Sequence, residues 1–337
     1  MADYPGAITV LPLVEGRDLA AGILGDVVKS EDMNKHFRET EAIENELGIN
    51  PKGIHADVAA RLVAIEGAAG GGVNCATATV GESEDCDYVI DADNPEIEIN
   101  HAISDVSATG GGVVFVKGGT YLLQAPIIPL SNVILEGEGN ATKFMRGALG
   151  IKLFFHYFTN PVVENMVFRN FCVDTAGAQS TDVAFYFEGP AKMRFDHINF
   201  YGDGDYGLHL WELGRHYIIS HCNFSGFKFP VVAHNASVDV NNCIFFLIWN
   251  TVGLKLTGGN FFVSNNTFNS DSAGNGIACD VASGVVFYFS NRCIEINTGI
   301  DLHAQLNCKV ISNYFKSCSN SILNPGADTV DFANAVL

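Results

Sequence analysis

The sequence predicts an all-β fold: a right-handed, single-stranded parallel β-helix with a short N-terminal helical stem and a capping helix. Three observations lead there. An apolar pattern returns seven times between residues 183 and 325, at Phe185, Leu208, Val231, Leu254, Ile277, Ile300 and Ile322, in steps of 23 or 22 residues. Two residues on, a second row follows at Phe187, Leu210, Ala233, Leu256, Cys279, Leu302 and Asn324. Period two within a repeat and a near-constant period between repeats describe one strand per coil. A single repeat cannot bury its own apolar side, so neighbours must stack, and parallel crossovers are almost always right-handed.

The third observation is a ladder between these strands. It reads Val163-Glu-Asn165, Phe195-Asp-His197, Ile219-Ser-His221, Val240-Asn-Asn242, Val263-Ser-Asn265, Phe289-Ser-Asn291 and Ile311-Ser-Asn313. An aromatic or aliphatic residue follows at Phe168, Phe200, Phe224, Phe245, Phe268 and Ile294. Asn tolerates left-handed backbone and bonds its neighbours, so a stacked row of Asn or His is expected at one bend of every coil. Antiparallel hairpins would need two-residue turn signals at regular places, and these are missing.

Taken in order, residues 1–72 read as an extended arm and a helical stem. Helices are expected at 26–48, with the stripe Met33, Phe37, Ile43 and Leu47, and at 54–66, with Val58, Leu62 and Ile65. Helices this short are marginal alone, and self-association into a three-chain bundle would bury the stripes. Gly67–Gly72 is a hinge. Residues 73–110 hold two short strands and a helix at 96–108, introduced by Pro95, that would cap the β-helix end and cover its edge. The β-helix proper is expected over 111–325, its first coil formed by Val113–Val116, Tyr121–Leu123 and Val133–Leu135. Residues 326–337 would leave the coil and cover its last turn.

Composition narrows function. The chain of 337 residues carries 19 Lys+Arg against 38 Asp+Glu, a net charge of −19. That excludes a nucleic-acid partner, whose affinity comes from basic contacts. The nine Cys show no CxxC pair and no zinc spacing, so buried free thiols are expected. No apolar run spans a membrane and no signal peptide opens the chain, which leaves lysis or a particle as the route to a cell exterior.

Asp87-Tyr-Val-Ile-Asp91, Glu98–Ile103, Gly110-Gly-Gly-Val-Val-Phe-Val-Lys-Gly-Gly-Thr-Tyr121 and Leu130–Gly139 resemble the opening of pectate-lyase-superfamily β-helices in the versions found in phage tailspikes and tail proteins. Ile43–Gly53 with Val58–Leu62 resembles the helical stem of phage fibre and virion proteins. The resemblance covers about residues 30–140. It implies a homotrimer at the virion surface, attached to capsid or tail through residues 1–66, that adheres to host-surface polysaccharide. Some members of the family cleave such polysaccharides, which keeps a depolymerase as the alternative; a decoration protein without ligand is the third reading. The paired-Asp and Gly-His-Gly set of polygalacturonases is absent, as is the carboxylate and Arg arrangement of calcium-dependent pectate lyases.

The repeat register also says which side chains share a face. The first outward row is Tyr186, His209, Val232, Lys255, Ala278, Asp301 and Leu323; the second is Glu188, Trp211, His234, Thr257, Asp280, His303 and Pro325. Tyr186 and Trp211 offer rings for sugars, while Glu188, His209, His234, Lys255 and His303 offer polar groups for hydroxyls. The turn Gly202–Tyr206, with Asp203 and Asp205, would overhang them. Asp280 and Asp301 are the candidate catalytic pair. One coil and two residues apart, they would stand at about 8 Å, within the span of an inverting glycosidase. The rows predict no metal site and no cofactor.

Overall fold

The computed structural model describes residues 76–337, apart from 91–92, 149, 158–161, 176–182, 190, 212–215, 249–250, 271–275, 304, 306, 326–328, 333 and 337. All of these belong to the unit Asn74–Leu337. The arm, the stem helices and the hinge expected within residues 1–72 lie outside the described residues.

The described chain is a parallel β-helix. Its 25 strands join through pairing into one sheet. The reason is visible in the burial of the inward rows: Phe185, Leu208, Val231 and Leu254 lie in register on successive coils and all are fully buried. No single coil could cover such residues; the coil above and the coil below do it. No helix among the described residues is long and apolar enough to cross a membrane.

The regular step breaks once. Leu254 pairs with Cys279 rather than Ile277, a step of 25, and Cys279 pairs with Ile300, a step of 21. Leu247 pairs with Ser270 and Val252 with Ile277, so the connection between those strands grows from four residues to six. The following coil takes the excess back. Two compensating loop lengths leave the average period intact, which is why the repeat count does not reveal them.

The bend ladder holds with a shift at each end. Val263 pairs with Tyr288 and Tyr288 with Val310, so Phe289 and Ile311 point outward, and Phe289 is 38% exposed. The first rung is Phe168-Arg-Asn170, paired with Phe195-Asp-His197; Asn165 lies beside a bulge instead, where its side-chain amide donates to Asn132. The left-handed column therefore runs through Asn170, His197, His221, Asn242, Asn265, Ser290 and Ser312, with φ between 53° and 58°. The next residue of each coil points inward: Cys222, Cys243, Asn266, Asn291 and Asn313, all buried. Beyond the bend, Phe200, Phe224, Phe245 and Phe268 stack face to face, with centroids 4.5, 4.9 and 4.7 Å apart. Cys293 and Phe315 continue that column rather than Ile294.

The one helix among the described residues, Pro95–Ala108, opens with Pro and carries Glu96 and Glu98 in its first turn, as the unpaired amides and positive dipole end there favour. It buries Ile99, Ala102, Ile103 and Val106 against the first strands of the β-helix. Its Glu96 and Asn100 carboxylate and amide oxygens accept from the backbone N–H of Gln124 and Ile128 at 3.1 and 2.8 Å. The strand Ala76–Gly81 pairs in parallel with Gly112–Val116, so coiling starts before the expected residue 111. At the other end Val330–Phe332 and Ala335–Val336 pair onto Lys309–Ile311 and Tyr314–Lys316. That stretch adds strands to the stack instead of leaving it.

Candidate functional site: an aromatic and cationic flank

The strands Val183–Glu188, Tyr206–Trp211 and Phe229–His234 lie side by side in parallel register. Alternation along each strand turns Phe185, Phe187, Leu208 and Leu210 inward and the intervening residues outward. Tyr186 therefore stands against His209, and Glu188, Trp211 and His234 form consecutive steps of one column, as the repeat register predicts. The first row continues through Val232 to Lys255.

These side chains form a continuous surface. The Tyr186 and His209 rings meet edge to face at 5.1 Å, and His209 stacks on Tyr206 at 4.9 Å. Tyr206 stacks on Phe229 at 5.5 Å, and Trp211 lies 4.6 Å from His234. Trp211 is 46% exposed, an unusual position for the residue whose burial gains most. Ammonium groups sit on the same rings: Lys152 Nζ is 3.7 Å from the Tyr186 centroid and 4.5 Å from that of Phe155, and Lys255 Nζ is 5.1 Å from that of Phe229. Such contacts are favourable because the ring face is negative. The Tyr186 hydroxyl donates to Glu188 at 2.9 Å.

Burial sets the charges here. It pushes Tyr186 up to about 12, with the Glu188 carboxylate adding to the effect. It pushes His209 down to about 4, with His234 and Lys152 contributing. Burial also lowers His234, next to Lys255, and lowers Lys152. At neutral pH the flank thus presents neutral imidazoles and an intact phenol among lysines: donors, acceptors and ring faces without a dense negative field.

Four members of this surface escaped the repeat-based reading. Phe155 pairs directly with Tyr186 and extends the first row by one coil. Tyr206 and Phe229 pair with each other at the strand starts, two positions before the inward row was counted. Lys152 precedes a strand, and its approach to Tyr186 carries no sequence signal.

The acidic end differs from expectation. Asp280 pairs with Lys255 and with Asp301, so the two carboxylates are direct neighbours on adjacent coils rather than a diagonal pair at about 8 Å. Asp280 thereby joins the first row, not the row of Thr257 and His303. His303 Nε2 lies 2.7 Å from Asp280 Oδ1 and 3.5 Å from Asp301 Oδ2. Asp301 Oδ1 accepts from the His303 backbone N–H at 3.1 Å and from the Asn324 side-chain amide at 3.0 Å. One imidazole fills the space that an inverting pair would keep for water, and Asp301 is buried, with 8% side-chain exposure. The inverting arrangement is therefore not what the residues build. Asp205 and its neighbour Gly204 are held by backbone bonds from Phe229 and Lys228, which ties the Gly202–Tyr206 turn to the next coil.

The chain belongs to the rhamnogalacturonase A/epimerase, pectate lyase-like family, whose profile matches residues 87–322. Among solved structures, the A-module of the mannuronan C-5 epimerase AlgE6 of Azotobacter vinelandii is similar at 12% identity, covering 74% of this chain and 97% of that one with a TM-score of 0.45. The A-module of AlgE4 of the same organism is similar at 14% identity, over 76% and 95%, with a TM-score of 0.44. The tailspike protein of E. coli bacteriophage HK620, in complex with a pentasaccharide, is similar at 15% identity, over 74% of this chain and 64% of that one, with a TM-score of 0.46. At these scores the likenesses add no argument to the family assignment. No curated protein sequence matches the chain.

Proposed function

We propose that the protein is a polysaccharide-binding β-helix that holds an extended glycan across successive coils, on the flank from Lys152 to Lys255. One observation carries this reading: rings and cations recur at the coil spacing of about 4.8 Å, with Trp211 left exposed at the centre. A chain of sugar rings laid across the coils meets one aromatic or polar step per coil. The stem resemblance at residues 43–62 supports a particle-borne setting, with three chains attached through residues 1–66 and the β-helix acting as a host-surface adhesin of a virion.

A second reading, a depolymerase, is favoured by the Asp280–His303–Asp301 cluster beside the strip. Two carboxylates against one imidazole can hold and move a proton at Nε2. Retention of the protein on immobilised host-envelope polysaccharide tests the first reading, and a reducing-end assay on the same glycan tests the second. Retention without new reducing ends is the adhesin result; shortened chains that persist in the wild type and vanish in Asp280→Asn make it an enzyme. Neither retention nor shortening across the envelope polysaccharides of the host overturns both and leaves a decoration protein. In the binding arm Trp211→Ala should lower affinity at least about ten-fold, roughly 1.4 kcal/mol.

A further inference from the structure

The bend of two consecutive coils carries a cluster that the flank does not use. Asp196 and His197 lie within the strand Ala191–Gly202; Ser220 ends the strand His216–Ser220 and His221 follows it. Register places Asp196 opposite Ser220, so the four side chains come from neighbouring coils. His197 and His221 both have φ 53°, in the column where other coils place Asn170, Asn242 and Asn265. Asn is the residue that this backbone favours. Two imidazoles in succession replace it only here, and their rings stack at 4.6 Å with 13° between planes.

Three groups converge on one oxygen. Ser220 Oγ donates to Asp196 Oδ1 at 2.7 Å. The same Oδ1 lies 3.1 Å from His221 Nδ1 and 3.2 Å from His197 Nδ1. A carboxylate oxygen has two lone pairs, and Ser220 occupies one. If both imidazoles donate, the oxygen is over-subscribed; if one turns its own lone pair inward, that pair faces an anion. A cation between Oδ1 and the two Nδ1 atoms removes the conflict. The spacing suits one: ligands bound at about 2.0–2.1 Å around a tetrahedral ion stand about 3.3 Å apart. All three atoms lie within 4.8 Å of one another.

We propose that Asp196, His197 and His221 form a binding site for a borderline divalent transition-metal ion such as Zn²⁺, which clips two successive coils together. Two imidazoles and one carboxylate select such ions over Ca²⁺ and Mg²⁺, which take oxygen ligands. Ser220 holds the carboxylate in place, the kind of support that metal ligands receive. Arg194, 3.4 Å from Asp196 Oδ2, occupies the other oxygen and leaves Oδ1 to the ion. Half-exposed imidazoles, at 57% and 46%, leave a further coordination position for water.

The test is calorimetric titration of the full chain with ZnCl₂, with thermal melts in parallel. The wild type should bind Zn²⁺ at a site that the double variant His197→Asn/His221→Asn lacks, and Zn²⁺ should raise its melting temperature while leaving that of the double variant unmoved. Asn already occupies the same backbone position in adjacent coils, so this variant should fold, with an unchanged circular dichroism spectrum. Asp196→Asn is the second arm and should weaken binding at least ten-fold; His101→Asn, on the exposed face of the capping helix, should leave it unaltered. Co²⁺ should give a visible absorption band that the double variant loses. Equal Zn²⁺ uptake by wild type and double variant, no uptake by the wild type, or Ca²⁺ binding at the same site with equal affinity overturns the proposal.

Discussion

The inward residue after the bend is treated differently in the two halves of the β-helix. From Asn266 onward it is an amide ladder. Asn291 Oδ1 accepts from the Asn266 backbone N–H at 3.0 Å, Asn313 Oδ1 from the Asn291 N–H at 2.8 Å, and Asn334 Oδ1 from the Asn313 N–H at 2.7 Å. Each Nδ2 donates to a backbone carbonyl of the previous coil, those of Val240, Val263, Tyr288 and Val310 in turn. The earlier coils place Cys222 and Cys243 there, whose thiols bond backbone carbonyls at 3.3–3.6 Å, and burial pushes the Cys222 thiol well up, with the Cys243 thiol adding to the effect. The outward neighbour is His221 before Cys222 but Asn242 before Cys243, and one coil earlier His197 stands before Ile198. The later half thus satisfies its bend from within through inward amides, while the earlier half has inward thiols and places two exposed imidazoles at the outward bend. The flank divides in the same place, with the aromatic and imidazole strip on the earlier coils.

The largest expected effect tests the ladder itself. Asn291→Cys leaves several buried donors and acceptors unpaired, each costing about 1–3 kcal/mol, for a total loss of about 3–5 kcal/mol in denaturant unfolding. The reverse change in the earlier half, Cys243→Asn, should cost no more than about 1 kcal/mol, because the Asn266 side chain already accepts from the Cys243 N–H. Equal losses would erase the distinction between the halves.

Acid should separate them next. His209 titrates at about 4 in the folded protein, against 6.5 for an ordinary histidine; burial lowers His156 and His234 in the same direction. The unfolded chain therefore takes up these protons first. Stability is complete above pH 6.5, declines as the pH falls towards 4 and levels below it, with His209 alone contributing a loss on the order of 3 kcal/mol. Hydrogen exchange at pH 7 and pH 4.5 should show residues 183–247 losing protection before residues 277–323, and His209→Phe should flatten the acid limb. Protection lost evenly along the chain would contradict the contrast. The smallest effect belongs to His197→Asn/His221→Asn without metal, which should change stability by less than about 0.5 kcal/mol, since the change only makes the earlier bend resemble the later one.

Much of this was legible in the sequence. The inward row from Phe185 to Leu254, the columns Tyr186–His209 and Glu188–Trp211–His234, and the helix after Pro95 all follow from period two, a constant step and a proline at a helix start. The Asp280–Asp301 geometry did not follow. It depends on two loops of unequal length before Ile277 and Thr298, and exposed loop length leaves no mark on an apolar repeat. The later bend was misjudged by one residue because Ser290-Asn291 and Ser312-Asn313 offer two polar neighbours, and only stacking decides which turns inward. Lys152, Phe155, Tyr206 and Phe229 enter the flank through contacts between coils that no local pattern announces.

By itself the sequence determined that this chain coils in parallel, because only stacking can bury one apolar side repeated once per coil. It also placed His197 and His221 in the same column of the bend. The tertiary structure alone decided what those columns do. It brought Asp196 against both imidazoles, set Asp280 and Asp301 against one histidine, and left Trp211 exposed among rings and lysines. Distances between coils depend on loops, bulges and rotamers that average out of a repeat, whereas the burial that drives coiling is summed over every turn.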